Sequence, residues 1–409
     1  MERGLDHEAP GDGALIRRVL KAMLRPAARL IRLVARPANR LLALLLGWRV
    51  VPNSVLHISY MVHIPYETVG HLRRRGVKAD YLAIGKSPYW NKCDYNFVPS
   101  GYLPIRALQE LWLFWTVVAR YQTVHAHFMY AISEDGWELP LLKRMNRTLV
   151  AHFRGCEARD RTRNMRLHPD VNICQSCEHR PYICQTPSAA VRRGWARDFA
   201  DVALVTTPDM KDFLPAATHF PFFAPDLPEP LPRAARGSRP FTIVHITNQP
   251  GIEGTAEIEA AIASLKSAGY DIEFRWLRNV THAEVLDAIS DADLAVGKMK
   301  MGYYANAQIE TMACGIPTVT HVREEFLTDQ LRASGFIFST LPDLARTISF
   351  HIDHPDALEA KRRIARSSIL KLHDNSDLAT KLIGIYDALD HGGATRERQS
   401  LAARRAGEC

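Results

Sequence analysis

No stretch of about 20 consecutive apolar residues occurs in this chain, so a membrane-spanning helix is not expected. The run Leu41–Leu46 is far too short, and the charges around it do not fit the pattern of a signal peptide. Cysteine is scarce and odd in number, seven in 409 residues, which argues against a disulfide framework and for a reducing compartment. Only one Cys-x2-Cys pair is present, so the two-pair pattern of a zinc ribbon is absent. The first strand–helix–strand pattern lacks a Gly-x-Gly-x-x-Gly turn, which excludes simple dinucleotide binding of the fingerprint type. No nucleic-acid-binding signature accompanies the positive charge. Acidic residues are missing altogether from Ala14 to Asn53.

What is present describes a globular protein. Apolar residues make up 47% and charged residues 23%, enough for a large core. The length of 409 residues suggests two or three domains. The net charge of +8 points to an anionic partner: a nucleotide, a phosphate-rich acceptor or a membrane surface, with no nucleic acid expected.

The acid-free stretch gathers basic residues on one helical face. Arg18, Lys21, Arg25, Arg29, Arg32, Arg36 and Arg40 recur every three or four positions, and Ile16, Leu20, Met23, Leu30, Ile31 and Val34 occupy the other face. Such a segment can lie in an anionic bilayer interface, although Pro26 and Pro37 would bend it. Residues 1–53 are therefore read as a basic amphipathic extension.

Alternating strand and helix patterns then run through the chain. SVLHISY opens a first domain over 54–220, with further strands at Tyr81–Ile84, Val124–Phe128, Thr148–Phe153 and Val202–Thr206. The helix between the second and third of these is expected over Leu108–Arg120. Within this domain, Cys156, Cys174, Cys177 and Cys184 form a cluster over 156–184, in which Cys174, Cys177 and Cys184 could supply three ligands to a structural zinc and Cys156, His168 or His179 the fourth. A disulfide and unlinked buried thiols are the rival readings. Proline and arginine dominate 221–240, which reads as a linker. FTIVHI opens a second domain over 241–370, and 371–409 is read as a crossover helix and a disordered tail.

Residues Ala288–Thr320 organise the second domain. A strand (Leu294–Val296) leads into a loop with Lys298, Lys300, Gly302, Tyr303 and Tyr304, then a helix from Ala307, Gly315-Ile316-Pro317 and another strand. Ligands of parallel sheets sit at the carboxyl ends of strands, so this loop is placed to hold one. Backbone N–H groups of Gly302–Ala305 at a helix N-terminus, with two lysines, suit phosphate. Glu310 lies one turn into the helix, within reach of a sugar diol. Three further elements point to the same end of the sheet. These are the loop Thr247–Gly254 with Asn248, Gly254 and the candidate helix cap Thr255; Arg278 after a strand; and His282 at a helix start.

The run GYYANAQIETMACGIP resembles the donor loop of GT-B glycosyltransferases, especially glycosyltransferase family four. Glu310 matches the glutamate that in the family binds the nucleotide ribose. The position of the family's other glutamate, which touches the donor sugar, holds Gly302. The family often grips the donor diphosphate with a lysine where this chain has Glu253, so Lys298, Lys300 or Arg278 would have to balance the charge. In the first domain, VHAHF and the Arg154-Gly155 turn also resemble the family, whose strand-end histidine, here His127, approaches the sugar.

The resemblance implies a two-domain α/β architecture with Rossmann-like sheets facing across a cleft. It also implies sugar transfer from a nucleotide-sugar donor to a glycan or lipid-linked acceptor, with retention and no catalytic metal. His127, Lys298 and Lys300 are the candidate catalytic residues. Glu310, Gly302, Tyr303, Tyr304, Asn248, Gly254, Thr255, Arg278 and His282 are the candidate donor-binding ones. A cytoplasmic enzyme of cell-envelope or polysaccharide synthesis, peripheral on the inner membrane face, is the expected setting. A catalytically degenerate binding subunit is the alternative, because two charged family positions are changed.

Overall fold

The computed structural model describes residues 50–88, 90–227 and 237–389, with a few positions between 30 and 41. Most of the basic extension, the centre of the linker and the tail after 389 lie outside the described residues.

Among the described residues, every strand belongs to one of two sheets. The first contains β1 (Val51–Tyr60), β2 (Lys78–Ile84), β3 (Tyr95–Phe97), β4 (Tyr121–His127), β5 (Thr148–Phe153), β6 (Val202–Val205) and β7 (Thr218–His219), in the order β3-β2-β1-β4-β5-β6-β7. Its helices are α1 (His63–Arg73), α2 (Leu103–Thr116), α3 (Leu139–Arg144), α4 (Arg161–Leu167) and α5 (Pro187–Phe199). The second contains β8 (Phe241–Ile246), β9 (Ile272–Leu277), β10 (Leu294–Val296), β11 (Thr318–Thr320) and β12 (Phe336–Phe338), in the order β12-β11-β10-β8-β9. With it go α6 (Pro250–Glu253), α7 (Thr255–Ser267), α8 (His282–Ser290), α9 (Asn306–Ala313), α10 (Asp329–Arg332), α11 (Leu344–Asp353) and α12 (Pro355–Leu372). A last helix covers residues 375–389.

Strands buried on both faces read as near-continuous apolar runs, as parallel sheets require. Ser54 to Ser59 of β1 is buried at every position. The second sheet has one core of Phe241, Ile243, Ile258, Ile262, Leu294, Val296, Val319, Leu344 and Ile348. Strand order reverses once in each sheet, between β1 and β4 and between β8 and β10. Crevices at such switch points are where open α/β sheets bind ligands.

By proximity the chain divides into two compact units. One holds 1–151, 195–201 and 383–409; the other holds 152–194 and 202–382. Among the described residues no helix is long and apolar enough to cross a membrane.

Some local expectations shift. The helix expected over Leu108–Arg120 is α2, which begins at Leu103 because Pro104 fits a first turn. The helix expected from Asn306's neighbour Ala307 starts one residue earlier, with Ala305 as its N-cap.

Candidate functional site

The switch point of the second sheet gathers most of the expected donor-site residues. β8 runs into a short loop and α6, and Gly254 then turns the chain into α7 with φ +90°. The left-handed φ is what calls for glycine here, since a Cβ would make only ordinary contacts with Met299 and Lys300 of the loop after β10. The backbone N–H of Met299 donates to Glu253 O at 3.0 Å. Thr255 does not cap α7. Its hydroxyl meets His245 Nε2 at 2.9 Å, while His245 Nδ1 lies 2.8 Å from Val296 O, which locks β8 to β10. Burial pushes the His245 pKa down, so the ring is held neutral.

The charge reversal at Glu253 is answered locally. Glu253 is buried, and Lys298 is its ion-pair partner. Lys300, also buried, pairs with Glu257 at 2.5 Å and donates to Ser176 Oγ at 3.2 Å. Both lysines therefore enter the site already bound to carboxylates. Arg278 is exposed, with its guanidinium 5.6 Å above the Trp276 ring. Asn248 Oδ1 accepts from the backbone N–H of Asn279 at 2.7 Å, tying the loops after β8 and β9 together.

Glu310 stands at the rim. Its side chain is about one-fifth exposed, and His282 Nε2 lies 2.9 Å from Oε1. The expected cradle of N–H groups is partly spent, since Ala305 N–H donates to Gln308 Oε1 at 2.8 Å. Gln308 also fills the space beside Gly297, where a Cβ would come within 2.4 Å of it. Tyr303 and Tyr304 stack at 4.4 Å. Tyr304 is core, its hydroxyl 3.0 Å from His373 Nε2, and burial raises both phenols.

Gly302 adopts φ +76°, and a Cβ there would lie 2.7 Å from Arg323 Cγ. The stem of Arg323 thus occupies the space beside Gly302. Arg323 Nη1 donates to Asp212 Oδ2 at 2.7 Å and lies 2.7 Å from His168 Nε2. Burial works against the Asp212 charge, but Arg323 and His168 outweigh it and hold its pKa below the ordinary value. Lys300, Met301, Gly302, His321 and Arg323 line a cavity of about 290 Å³ with His168, Asn172, Asp209 and Asp212. A larger cavity of about 350 Å³ lies at the amino ends of β1, β2 and β4, the wrong end of a parallel sheet for a substrate.

The loop of the Cys-x2-Cys pair borders this site. A Cβ on Gly251 would come within 1.8 Å of Ser176 O, so the two backbones touch. The described cysteines are free thiols, and burial pushes Cys156 up to about 12 and raises Cys174 and Cys184. Cys156, Cys174, Cys177 and Cys184 do not bring three sulfurs close enough to share an ion. The four thiols are nonetheless neighbours, since Cys177 and Cys184 help to raise the Cys156 pKa and Cys177 helps to raise those of Cys174 and Cys184.

At the switch point of the first sheet, His127 ends β4 and is fully buried. His57 and His125 are register partners on β1 and β4, and with His127 they form the one ion-compatible group among the described residues. The rings stack at centroid distances of 4.4–5.1 Å. His57 Nδ1 lies 2.8 Å from His127 Nε2, and His125 Nδ1 lies 2.6 Å from Tyr386 Oη. Two nitrogens bound to one tetrahedral zinc at ~2.0–2.1 Å would stand further apart, at about 3.3 Å. Stacked faces and a hydrogen-bonding separation describe a packed imidazole column.

Sequence reading missed Arg323, Gln308, Ser176 and Glu138. Arg323 was within its reach, because it follows the carboxyl end of β11. Glu138 is buried after β4 and accepts from the N–H groups of Ile132 (2.7 Å) and Ser133 (3.3 Å). Burial pushes its pKa up to about 7.

No family model and no curated protein matches this chain. Solved structures do. Sucrose-phosphate synthase from Thermosynechococcus elongatus is 14% identical with a TM-score of 0.55, covering 83% of this chain and all of the other. HepE from Anabaena, in complex with UDP-glucose, is 11% identical with a TM-score of 0.54, covering 82% and 99%. The catalytic domain of starch synthase IV from Arabidopsis thaliana, bound to ADP and acarbose, is 10% identical with a TM-score of 0.53, covering 83% and 99%. The chain has the α/β fold of GT-B glycosyltransferases, and its structural neighbours are glycosyltransferases.

Proposed function

We propose that this chain is a nucleotide-sugar-dependent glycosyltransferase. The observation that carries the reading is the convergence at one switch point of the Gly254 turn, the Lys298–Lys300 loop and the Glu310–His282 pair. A ribose diol fits the free edge of Glu310, since a carboxylate accepts two hydroxyl hydrogen bonds. The diphosphate would meet Lys298, Lys300 and Arg278. Binding then exchanges carboxylate partners for phosphate oxygens, and the released lysines stabilise the charge that develops on the leaving diphosphate. Retention, with the leaving phosphate helping to deprotonate the acceptor, and a glycan or lipid-linked acceptor of envelope or polysaccharide synthesis complete the proposal. His127 acts in it only if the imidazole column opens toward the sugar. The setting is the cytoplasmic face of a membrane.

A second reading has its own support. Lys298 and Lys300 are both paired with acids, and Gly302 carries no carboxylate, which suits a donor-binding or regulatory subunit without transfer. Slow donor hydrolysis separates the two. The purified chain is incubated with a panel of nucleotide sugars and the released nucleotide is measured. The transferase reading expects release from one donor, lost in Glu310→Ala. Donor binding without any release selects the binding subunit.

A further inference from the structure

Helix α2 carries large apolar side chains on both its buried and its exposed face. Ala107, Leu113 and Phe114 are buried, as the sequence pattern demands. The opposite face is largely apolar, with Gln109 and Thr116 as its polar positions. Tyr102, Ile105, Leu108 and Trp112 recur at helical spacing, with Leu108 57% and Trp112 67% exposed. The helix's charged residues do not interrupt this face. Glu110 is fully buried and Arg106 pairs with it at 2.9 Å while neutralising Glu134 at 2.7 Å. Large apolar side chains clustered on an exposed face mark an interaction surface.

One described residue of the extension meets this helix. Trp115 Nε1 donates to Asn39 Oδ1 at 2.9 Å, and Asn39 is buried. The helical positions described near it, Leu30, Val34 and Leu41, are exposed and fall on one face by spacing. Around them in sequence stand Arg25, Arg29, Arg32, Arg36, Arg40 and Arg49, with no acid from Ala14 to Asn53. Exposed tryptophan and tyrosine, aliphatic side chains and unopposed arginines are the composition that enters an anionic bilayer interface.

We infer that the outer face of α2, through Tyr102, Ile105, Leu108 and Trp112, inserts into the headgroup region of an anionic lipid bilayer beside the arginine-rich extension. This deepens the membrane setting proposed above by naming the surface, and it is independent of whether sugar is transferred. Each arginine near the lipid surface adds about fivefold to binding, corresponding to ~1 kcal/mol. The apolar face adds a contribution that salt does not remove.

The test is co-sedimentation of the full chain with phosphatidylcholine vesicles and with mixed phosphatidylcholine–phosphatidylglycerol vesicles. Wild type is compared with Leu108→Ser/Trp112→Ser and with Arg32→Gln/Arg36→Gln. The substituted apolar positions are exposed, so thermal unfolding should match wild type. Binding to the anionic vesicles only, weakened about tenfold or more in the apolar double variant, supports the inference. Undiminished binding by that variant, with loss in the arginine variant, overturns it and leaves the membrane setting to the extension alone. Absence of binding by wild type overturns both. A wild-type dimer that becomes monomeric in the apolar variant also overturns it, because a second copy then covers the face. Ile105→Ser alone, expected to weaken binding less, keeps the test valid if the double variant fails to fold.

Discussion

The two sheets carry the same kind of crevice and fill it differently. At the reversal between β1 and β4, three imidazoles are sealed and stacked. At the reversal between β8 and β10, lysines meet glutamates, two glycines hold left-handed turns, and Glu310 reaches the rim. Topology gives both places the potential to bind. Only the second has mobile charge and backbone thin enough for a ligand to approach. Site chemistry here is decided by the side chains and not by the fold.

The contrast is broken most severely at Lys298. Lys298→Ala leaves Glu253 buried without its partner, which costs about 3–5 kcal/mol. A large fall in melting temperature is expected, largely restored in Lys298→Ala/Glu253→Gln. An unchanged melting temperature in the single variant would mean that the pair is solvated and the two crevices are less different than they look.

Glu138 gives a second test, of a sealed carboxyl in the same unit as the imidazoles. Its pKa of about 7 means that the folded state keeps a proton the unfolded chain releases from about pH 4.5 upward. Its share of stability is therefore full in acid and is lost as pH rises through about 7. Glu138→Gln should be more stable than wild type above pH 7, by up to about 3 kcal/mol, with the difference shrinking toward pH 5. Thermal unfolding across pH 5–9 reads this directly. A constant difference would show that the carboxylate is ionised throughout.

A smaller effect sharpens the charged crevice. Gly302→Glu restores the residue type of the resembling family, yet its φ of +76° and the Arg323 stem oppose any side chain. A loss of about 1–3 kcal/mol is expected, without new donor affinity. If Gly302→Glu/Arg323→Ala is as stable as wild type, the space beside Gly302 is confirmed as the reason.

The sequence made the strands and the loop after β10 legible, because parallel strands are long apolar runs and the glycine and proline stops are strong signals. Glu310, Gly254 and the lysines were found the same way, from their place after strands. The pairing of Lys298 with Glu253, 45 residues away, was not, since it depends on which two loops the sheet order brings together. The same holds for Arg323 beside Gly302. The outward turn of Trp112 escaped for a different reason. A helix with large apolar side chains on both faces carries little signal for which face is covered.

Thermal unfolding with a panel of nucleotide sugars, in wild type and Glu310→Ala, tests the central claim most directly. A bound donor raises stability by RT ln(1 + [L]/Kd), about 2.7 kcal/mol at a hundredfold excess over Kd. The account predicts a shift with one nucleotide sugar and its loss in Glu310→Ala, whose stability without ligand stays near that of wild type. No shift with any nucleotide or nucleotide sugar, or an equal shift in both proteins, would contradict it.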